Sequence, residues 1–110
     1  MPVRFHPAAH TELIAARDWY EQARAGLGIS FAEEVDRVVA LIEEHPSRFP
    51  FHDDAVRRAS LRRFPFSLFF EDVAGSRYVW AVFHHRRNSA PLGRRPTKGR
   101  GAAPSPPLTT

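Results

Sequence analysis

The stretch RRASLRRFPFSLFFE, residues 57–71, decides the fold class of this chain. Apolar and polar side chains alternate along it, and alternation with period two is typical of strands that bury one face. We predict one strand over residues 56–63 and another over residues 66–71. A third alternating run, residues 78–85, follows after a short connection that contains Gly75. The second half of the chain therefore predicts an antiparallel meander of three strands.

Alternation also predicts which side chains share a face of this sheet. Along the middle strand, Phe66, Leu68 and Phe70 are expected on one face. The last strand is expected to divide between two faces, one with Val79, Ala81 and Phe83, the other with Tyr78, Trp80, Val82 and His84.

Helical spacing governs the region before these strands. Residues 3–6 predict a short first strand that ends at Pro7, and proline suits the first position of a helix because that position leaves its N–H unpaired. From residue 9 to 23, apolar side chains recur every three or four positions. This spacing predicts an amphipathic helix that ends near Gly26 and Gly28.

A second helix is predicted to begin at Ser30, because Ser30 and Glu33 have the spacing of a capping box, and to end at His45, before Pro46. The order β-α-α-β-β-β predicts an α+β fold, in which an antiparallel sheet carries a two-helix hairpin on one face. The aromatic side chains are expected to fill the core, including Trp19, Tyr20, and Phe49 and Phe51 tucked under the sheet.

Length and composition narrow the classes of function. A chain of 110 residues without cysteine predicts one domain and excludes a disulfide framework and thiol chemistry. Neither an apolar run of bilayer length nor a signal segment is visible, so we expect a cytoplasmic protein without membrane contact. The histidines lack metal-ligand spacing, and we expect no metal and no cofactor. Residues 1–88 predict the folded domain, and residues 89–110, with five prolines, predict a disordered tail.

Charge is divided sharply along the chain. The net charge is +4, from 16 basic and 12 acidic side chains. Residues 1–54 carry 5 basic and 10 acidic side chains, residues 55–88 carry 7 and 2, and residues 89–110 carry 4 and none. The tail thus accounts for the whole net charge, and the high pI is poor evidence for nucleic-acid binding. Within the domain we expect an acidic helical side and a basic sheet.

Several segments, taken in order, resemble the RelE/ParE superfamily, the toxins of type II toxin–antitoxin modules. They are FHPAA at residues 5–9, GLG at 26–28, RRASLRRFPF at 57–66 and AVFHHRR at 81–87. The last two are the most specific, and the resemblance covers roughly residues 3–88. It implies the α+β fold that the spacing predicts independently.

The resemblance also implies a protein partner and a cellular target. Toxins of this superfamily are silenced in a hetero-oligomer by a cognate antitoxin, whose extended and helical segment wraps the toxin. ParE-like members, linked to plasmid stabilisation and growth arrest, poison DNA gyrase, whereas RelE-like members cleave ribosome-bound mRNA. We favour gyrase, since the sheet lysines, late tyrosine and paired glutamate of RelE-like enzymes are missing here. The alternatives are an mRNA endonuclease and a non-toxic, antitoxin-binding remnant, the latter because no tryptophan follows the last strand.

Arginines supply the expected binding surface for antitoxin or target: Arg57, Arg58, Arg62, Arg63, Arg86 and Arg87. RNA cleavage would need arginine forks to hold the phosphate and a histidine to move a proton. The catalytic set for that alternative is Arg57, Arg62, His84 and Arg86.

Structural roles compete with these assignments. Arg57 and Arg58 point to opposite faces of a strand, and one of them could pair with an acidic residue of the second helix, namely Glu33, Glu34 or Asp36. His84 could be a half-buried packing residue, and His6 is expected to start the first helix.

Overall fold

The computed structural model describes residues 3–85, and the predicted tail at residues 89–110 lies outside that range. The described chain contains strands β1 (Val3–Phe5), β2 (Arg57–Ser60), β3 (Phe66–Val73) and β4 (Ser76–His84), helices α1 (Pro7–Ala23) and α2 (Leu27–Glu44), and a 3-10 turn (Pro46–Arg48). Neither helix is long and apolar enough to cross a membrane.

The four strands form one sheet in the order β1-β4-β3-β2. β2, β3 and β4 are the predicted antiparallel meander, and Ala74 and Gly75, both with positive φ, make the two-residue turn between β3 and β4. β1 pairs with β4 in parallel, so the sheet is mixed rather than wholly antiparallel. With that addition, the predicted α+β fold and its element order are confirmed.

The two helices cover one face of the sheet and enclose the main core. Phe66, Leu68 and Phe70 of β3 all face the helices, as the alternation predicts. Tyr20 of α1 meets the rings of Phe31 and Phe64 at centroid distances of 5.3 and 4.9 Å. Burial of such side chains stabilises the fold by about 2 kcal/mol each. This aromatic cluster therefore contributes strongly to the packing of the helices on the sheet.

A β-bulge interrupts the pairing of β3 with β4. Phe69 lies opposite Ala81, while the next residue, Phe70, lies opposite Val79, so Trp80 is an extra residue in β4. The Trp80 indole is buried on the outer face of the sheet and donates a hydrogen bond from Nε1 to Glu71 Oε1 at 2.8 Å.

The bulge makes the predicted division of β4 wrong. Val79 and Val82, three positions apart, both pack against the helices, while Trp80 and Ala81 both lie in the outer-face cluster. Strict alternation assigns successive residues to opposite faces of the sheet. One extra residue therefore moves every later side chain to the face opposite to the predicted one. His84 therefore lies on the helical side with Val82 and not with Trp80.

The connection between the helices differs from the prediction. α2 begins at Leu27, and Ser30 lies inside it, so the capping box at Ser30 is wrong. The carboxylate of Glu21 in α1 instead accepts the N–H groups of Gly26 and Gly28, each at 2.9 Å. These hydrogen bonds lower the pKa of Glu21 and satisfy the first amides of α2 from outside the helix.

His6 and Pro7 begin α1 as predicted. The Nδ1 atom of His6 accepts the N–H of Ala8 at 2.9 Å, and Pro7 occupies the first helical position. The ring of His6 is buried against Trp80, at a centroid distance of 5.7 Å. This histidine is thus a capping and packing residue.

Two aromatic side chains expected in the core lie at the surface instead. Trp19 is 67% exposed and Phe51 is 56% exposed. Phe49 is half-buried with its ring against Phe70, as predicted. The ring of Trp19 lies edge-on to the ring of Tyr20, at a centroid distance of 5.2 Å.

Candidate functional site

The loop between β2 and β3, residues 61–65, presents Arg62 and Arg63 to solvent at one end of the sheet. Glu34 of α2, which is 9% exposed, contacts this loop from the helical side of the sheet. Glu34 Oε2 accepts the backbone N–H of Arg62 at 2.7 Å. This hydrogen bond joins the backbone of the loop to the helical layer, where Leu61 and Phe64 of the same loop are buried in the core.

Glu34 is itself held by Arg37, one turn further along α2. Arg37 donates from Nε to Oε1 at 3.1 Å and from Nη2 to Oε2 at 2.7 Å, a two-pronged pair. The hydrogen bonds from Arg37, and then that from the Arg62 backbone, hold the pKa of Glu34 below its usual value against the opposing effect of burial. Glu34, one of the three acidic residues that the sequence offered as a partner for Arg57 or Arg58, is paired with Arg37 instead.

Arg57 and Arg58 lie on opposite faces of β2 and have different surroundings. Arg57 donates from Nη1 to the carbonyl of Phe49 at 2.6 Å, and its guanidinium stacks on the ring of Phe51 at 3.9 Å. Arg58 is exposed and lies opposite Phe69 on the outer face. Arg57 thus fastens the preceding loop to the sheet edge, and Arg58 remains available to a partner.

We expect Arg57→Ala to lower the free energy of unfolding by about 1.5 kcal/mol, because it removes a charged hydrogen bond and a cation–π contact. Arg58→Ala, at the neighbouring exposed position, should change it by less than about 0.5 kcal/mol. Urea unfolding of both variants measures the difference. Equal stabilities would show that the contacts of Arg57 contribute nothing.

A groove of about 270 Å³ runs between α1 and the second half of β4. Ala15 and Trp19 of α1 form one wall, and Phe83 and His84 of β4 form the other. The ring of His84 lies against Phe66, at a centroid distance of 5.0 Å. His84 is therefore half-buried on the helical side of the sheet.

His85 lies on the other face and belongs to a short chain of hydrogen bonds. Its Nε2 is 2.8 Å from the hydroxyl of Ser67, and that hydroxyl is 2.9 Å from the hydroxyl of Ser60. This chain links β2, β3 and the end of β4 across the outer face. His84 and His85 therefore contact residues on opposite faces of the sheet.

The predicted arginine surface is brought together only in part. Arg58, Arg62 and Arg63 are exposed on β2 and the loop that follows it, while Arg57 is held by the Phe49 carbonyl. In the set proposed for RNA cleavage, His84 faces the groove and Arg57 faces the preceding loop. Arg86 and Arg87 lie outside the described residues. Among residues 3–85, no cluster of three His, Cys, Asp or Glu side chains is placed to hold a metal ion.

Two acidic residues matter that the sequence does not single out. Glu34 reaches a backbone amide 28 positions away, and Glu12 of α1 accepts the N–H of Val82, 70 positions away, at 2.9 Å. Their spacing within a helix carries no sign of these distant partners. The signal that could identify Glu34 is its place between Phe31 and Val38 on the apolar face of α2, where a carboxylate needs donors.

Comparisons with known proteins agree with this architecture. The family model described as ParE toxin of type II toxin-antitoxin system, parDE, matches residues 3–89. A solved structure of the chromosomal ParDE TA system from P. aeruginosa is similar with a TM-score of 0.67 and 18% identity, over 76% of this chain and 95% of that chain, which shows a common fold. No curated protein sequence matches significantly.

Proposed function

The chain belongs to the ParE toxin family of type II toxin–antitoxin systems, and we propose that it is the toxin of such a module. In this proposal it acts on DNA gyrase in the cytoplasm and is neutralised in a hetero-oligomer by a cognate antitoxin. The residues proposed to contact antitoxin or target are Arg58, Arg62 and Arg63, with Arg86 and Arg87 beyond the described range.

The observation that carries the proposal is the anchored arginine loop. Arg62 and Arg63 are exposed, yet the backbone that bears them is fixed by the buried carboxylate of Glu34. A fixed loop backbone limits the conformational entropy lost on binding to that of the two arginine side chains. Such a loop suits an acidic protein segment, because charge complementarity favours rapid and specific association.

Gyrase is favoured over mRNA by the placement of the groups that RNA cleavage would need. A proton-transferring residue must come within hydrogen-bond reach of the same phosphate that the arginines hold. His84 faces the groove against Phe66, whereas Arg57, which belongs to the same proposed catalytic set, is held by the Phe49 carbonyl and stacks on the ring of Phe51. This separation supports a protein target more than a ribonuclease site.

The expected result with purified chain and gyrase is loss of supercoiling activity and accumulation of gyrase–DNA adducts. Arg62→Ala/Arg63→Ala should weaken this inhibition at least tenfold, at about 1 kcal/mol or more for each lost charge contact. Arg17→Ala/Arg24→Ala removes the same charge from exposed positions of the helical layer and should weaken inhibition less than twofold. Supercoiling titrations with circular-dichroism checks of folding give both numbers.

Full gyrase activity at saturating chain would reject gyrase as the target. Cleavage of ribosome-bound message that is abolished by His84→Ala and by Arg62→Ala would instead favour the mRNA endonuclease. Normal growth of bacteria that express the chain without antitoxin would favour the non-toxic remnant.

A further inference from the structure

Ser60 is an exposed serine at the edge of the sheet, on its outer face. β2, which bears it, is the last strand in the order β1-β4-β3-β2, and within residues 3–85 no strand lies beyond it. The other serines of the described strands are less accessible, since Ser67 is buried and Ser76 is half-buried. Ser60 is therefore the strand serine that a second protein can best approach.

Arginines flank this serine on both sides, in the stretch RRASLRR at residues 57–63. Arg58 lies on the same face of β2 as Ser60, two positions before it, a spacing of about 7 Å. Arg62, two positions after Ser60, is exposed in the loop that follows. No acidic side chain occurs between residues 55 and 70. An anionic group on Ser60 would therefore lie beside cations, with no carboxylate of the same segment to repel it.

The hydroxyl of Ser60 can leave its hydrogen bond without harm to the structure below it. Ser60 Oγ is 2.9 Å from Ser67 Oγ, and Ser67 Oγ is also 2.8 Å from Nε2 of His85. Ser67 is 1% exposed, and a buried hydroxyl needs at least one partner. His85 remains that partner when the Ser60 hydroxyl turns outward to solvent. Modification of Ser60 therefore leaves the Ser67 hydroxyl satisfied.

A phosphoryl group is the modification that fits these surroundings. It gives a serine a charge of about −2 and three acceptor oxygens, which arginine guanidinium groups bind strongly. Transfer from a nucleoside triphosphate forms a bond between Ser60 Oγ and the γ-phosphorus and breaks the bond from that phosphorus to the β,γ-bridging oxygen. The hydroxyl proton passes to a base of the kinase, and the nucleoside diphosphate leaves. Arginines around the acceptor suit a protein kinase whose substrate groove is acidic.

We propose that Ser60 is the acceptor for an arginine-directed protein kinase, and that its phosphoryl group switches off the exposed arginines Arg58, Arg62 and Arg63. These three are the described residues that the proposed function assigns to antitoxin or target. A charge of about −2 offsets most of their positive charge, and hydrogen bonds to the phosphate occupy guanidinium donors. The acceptor site stands on the local geometry alone, whereas the switch rests on the proposed function.

Phosphoryl transfer to the folded, full-length chain tests the acceptor site. The probe is MgATP with the catalytic subunit of cAMP-dependent protein kinase, an arginine-directed serine kinase. Wild type and Ser47→Ala, which lacks an exposed serine of the 3-10 turn, should each take up one phosphoryl group, and Ser60→Ala none. Arg58→Ala should slow the transfer at least tenfold, and Arg24→Ala less than twofold. Peptide mapping by mass spectrometry locates the group, and circular dichroism confirms that every variant folds.

The phosphorylated chain tests the switch. It should inhibit gyrase supercoiling at least tenfold more weakly than the unmodified chain, and removal of the group by a phosphatase should restore inhibition. Ser60→Ala cannot accept the group, so kinase treatment should leave its inhibition of gyrase unchanged. Phosphopeptide mapping of the chain recovered from its own cells, in growth and in starvation, should find phosphoserine at residue 60.

No transfer to the folded wild type, equal transfer to Ser60→Ala, or no phosphoserine at residue 60 in cells would each overturn the acceptor site. Undiminished inhibition of gyrase by the phosphorylated chain would overturn the switch. If the unmodified chain inhibits gyrase in those cases, the proposed function stands and only the phosphorylation proposal is wrong. If the unmodified chain leaves gyrase fully active while Ser60 accepts the group, the proposed function fails and the acceptor site stands.

Discussion

Gly28→Ala should lower the free energy of unfolding by about 3 kcal/mol and the melting temperature by about 15 °C. A Cβ atom at Gly28 would lie 2.8 Å from the carbonyl oxygen of Arg17 and 2.9 Å from Cβ of Glu21. The Arg17 oxygen belongs to the backbone of α1 and the Glu21 Cβ is fixed to it, so neither atom can move away by a side-chain rotation. The two helices must therefore separate. The better helix propensity of alanine, about 1 kcal/mol, cannot offset this overlap.

Gly75→Asn is the matched control for Gly28→Ala. Gly75 has a φ of +84°, and a Cβ there meets nothing within 4 Å. Asparagine tolerates the left-handed region better than most residues, so the change should stay within about 1 kcal/mol. Calorimetric melts at neutral pH compare the two. A Gly28→Ala chain that melts at or above the wild-type temperature would contradict the close approach of α1 and α2.

Glu34→Gln should lower the free energy of unfolding at neutral pH by about 2 kcal/mol. The variant keeps an oxygen acceptor but loses the charge-assisted hydrogen bonds from Arg37 and from the Arg62 backbone. It also leaves the Arg37 guanidinium without its carboxylate. Because the arginine loop is tied to α2 through this group, protection of the Arg62 amide from hydrogen exchange should fall as well.

The difference between wild type and Glu34→Gln should depend on pH. The pKa of Glu34 is lowered in the folded chain, so its stabilisation is fully present above the unfolded pKa near 4.5 and is lost as pH falls through the folded pKa. Glutamine does not ionise, so the variant has no carboxylate stabilisation to lose in acid. Urea unfolding at pH 7 and at pH 3 should therefore show a large gap that narrows in acid.

The neighbouring Glu33 is exposed and supplies the control for Glu34. Glu33→Gln should leave the stability at pH 7 within about 0.5 kcal/mol of wild type. Equal effects of the two substitutions, or a gap for Glu34→Gln that persists unchanged at pH 3, would show that the Glu34 carboxylate does not anchor the loop.

Sequence patterns predicted the fold where burial follows a regular period. The face shared by Phe66, Leu68 and Phe70, the helix that begins at Pro7, and the meander all follow from spacing alone. The pattern failed at Trp80, because a bulge adds a residue without any change in composition, and at Ser30, because Glu21 supplies the cap from another helix. Local sequence propensity carries no information on a capping group, such as the Glu21 carboxylate, that only the tertiary structure brings close.

The candidate site was predictable in residue type and only partly in geometry. The concentration of arginine at residues 57–63 marks the basic side of the sheet. Which arginine is free depends on contacts with Phe49 and Phe51 that arise only when the loop folds against β2. The partners of Glu12 and Glu34 were not predictable, since each satisfies a backbone amide that is remote in the sequence. Only the place of Glu34 on the apolar face of α2 indicates that its carboxylate needs donors.

The pairing of β1 with β4 has a consequence for how the chain folds during its synthesis. The first and last strands of the described domain are neighbours, and the groove needs α1 from the beginning and β4 from the end. Contacts of such long sequence separation form late in folding. A nascent or truncated chain that lacks β4 has neither a partner for β1 nor a wall for the groove. Ribosomal synthesis must therefore run through almost the whole described domain before β1 is paired and the groove has both of its walls.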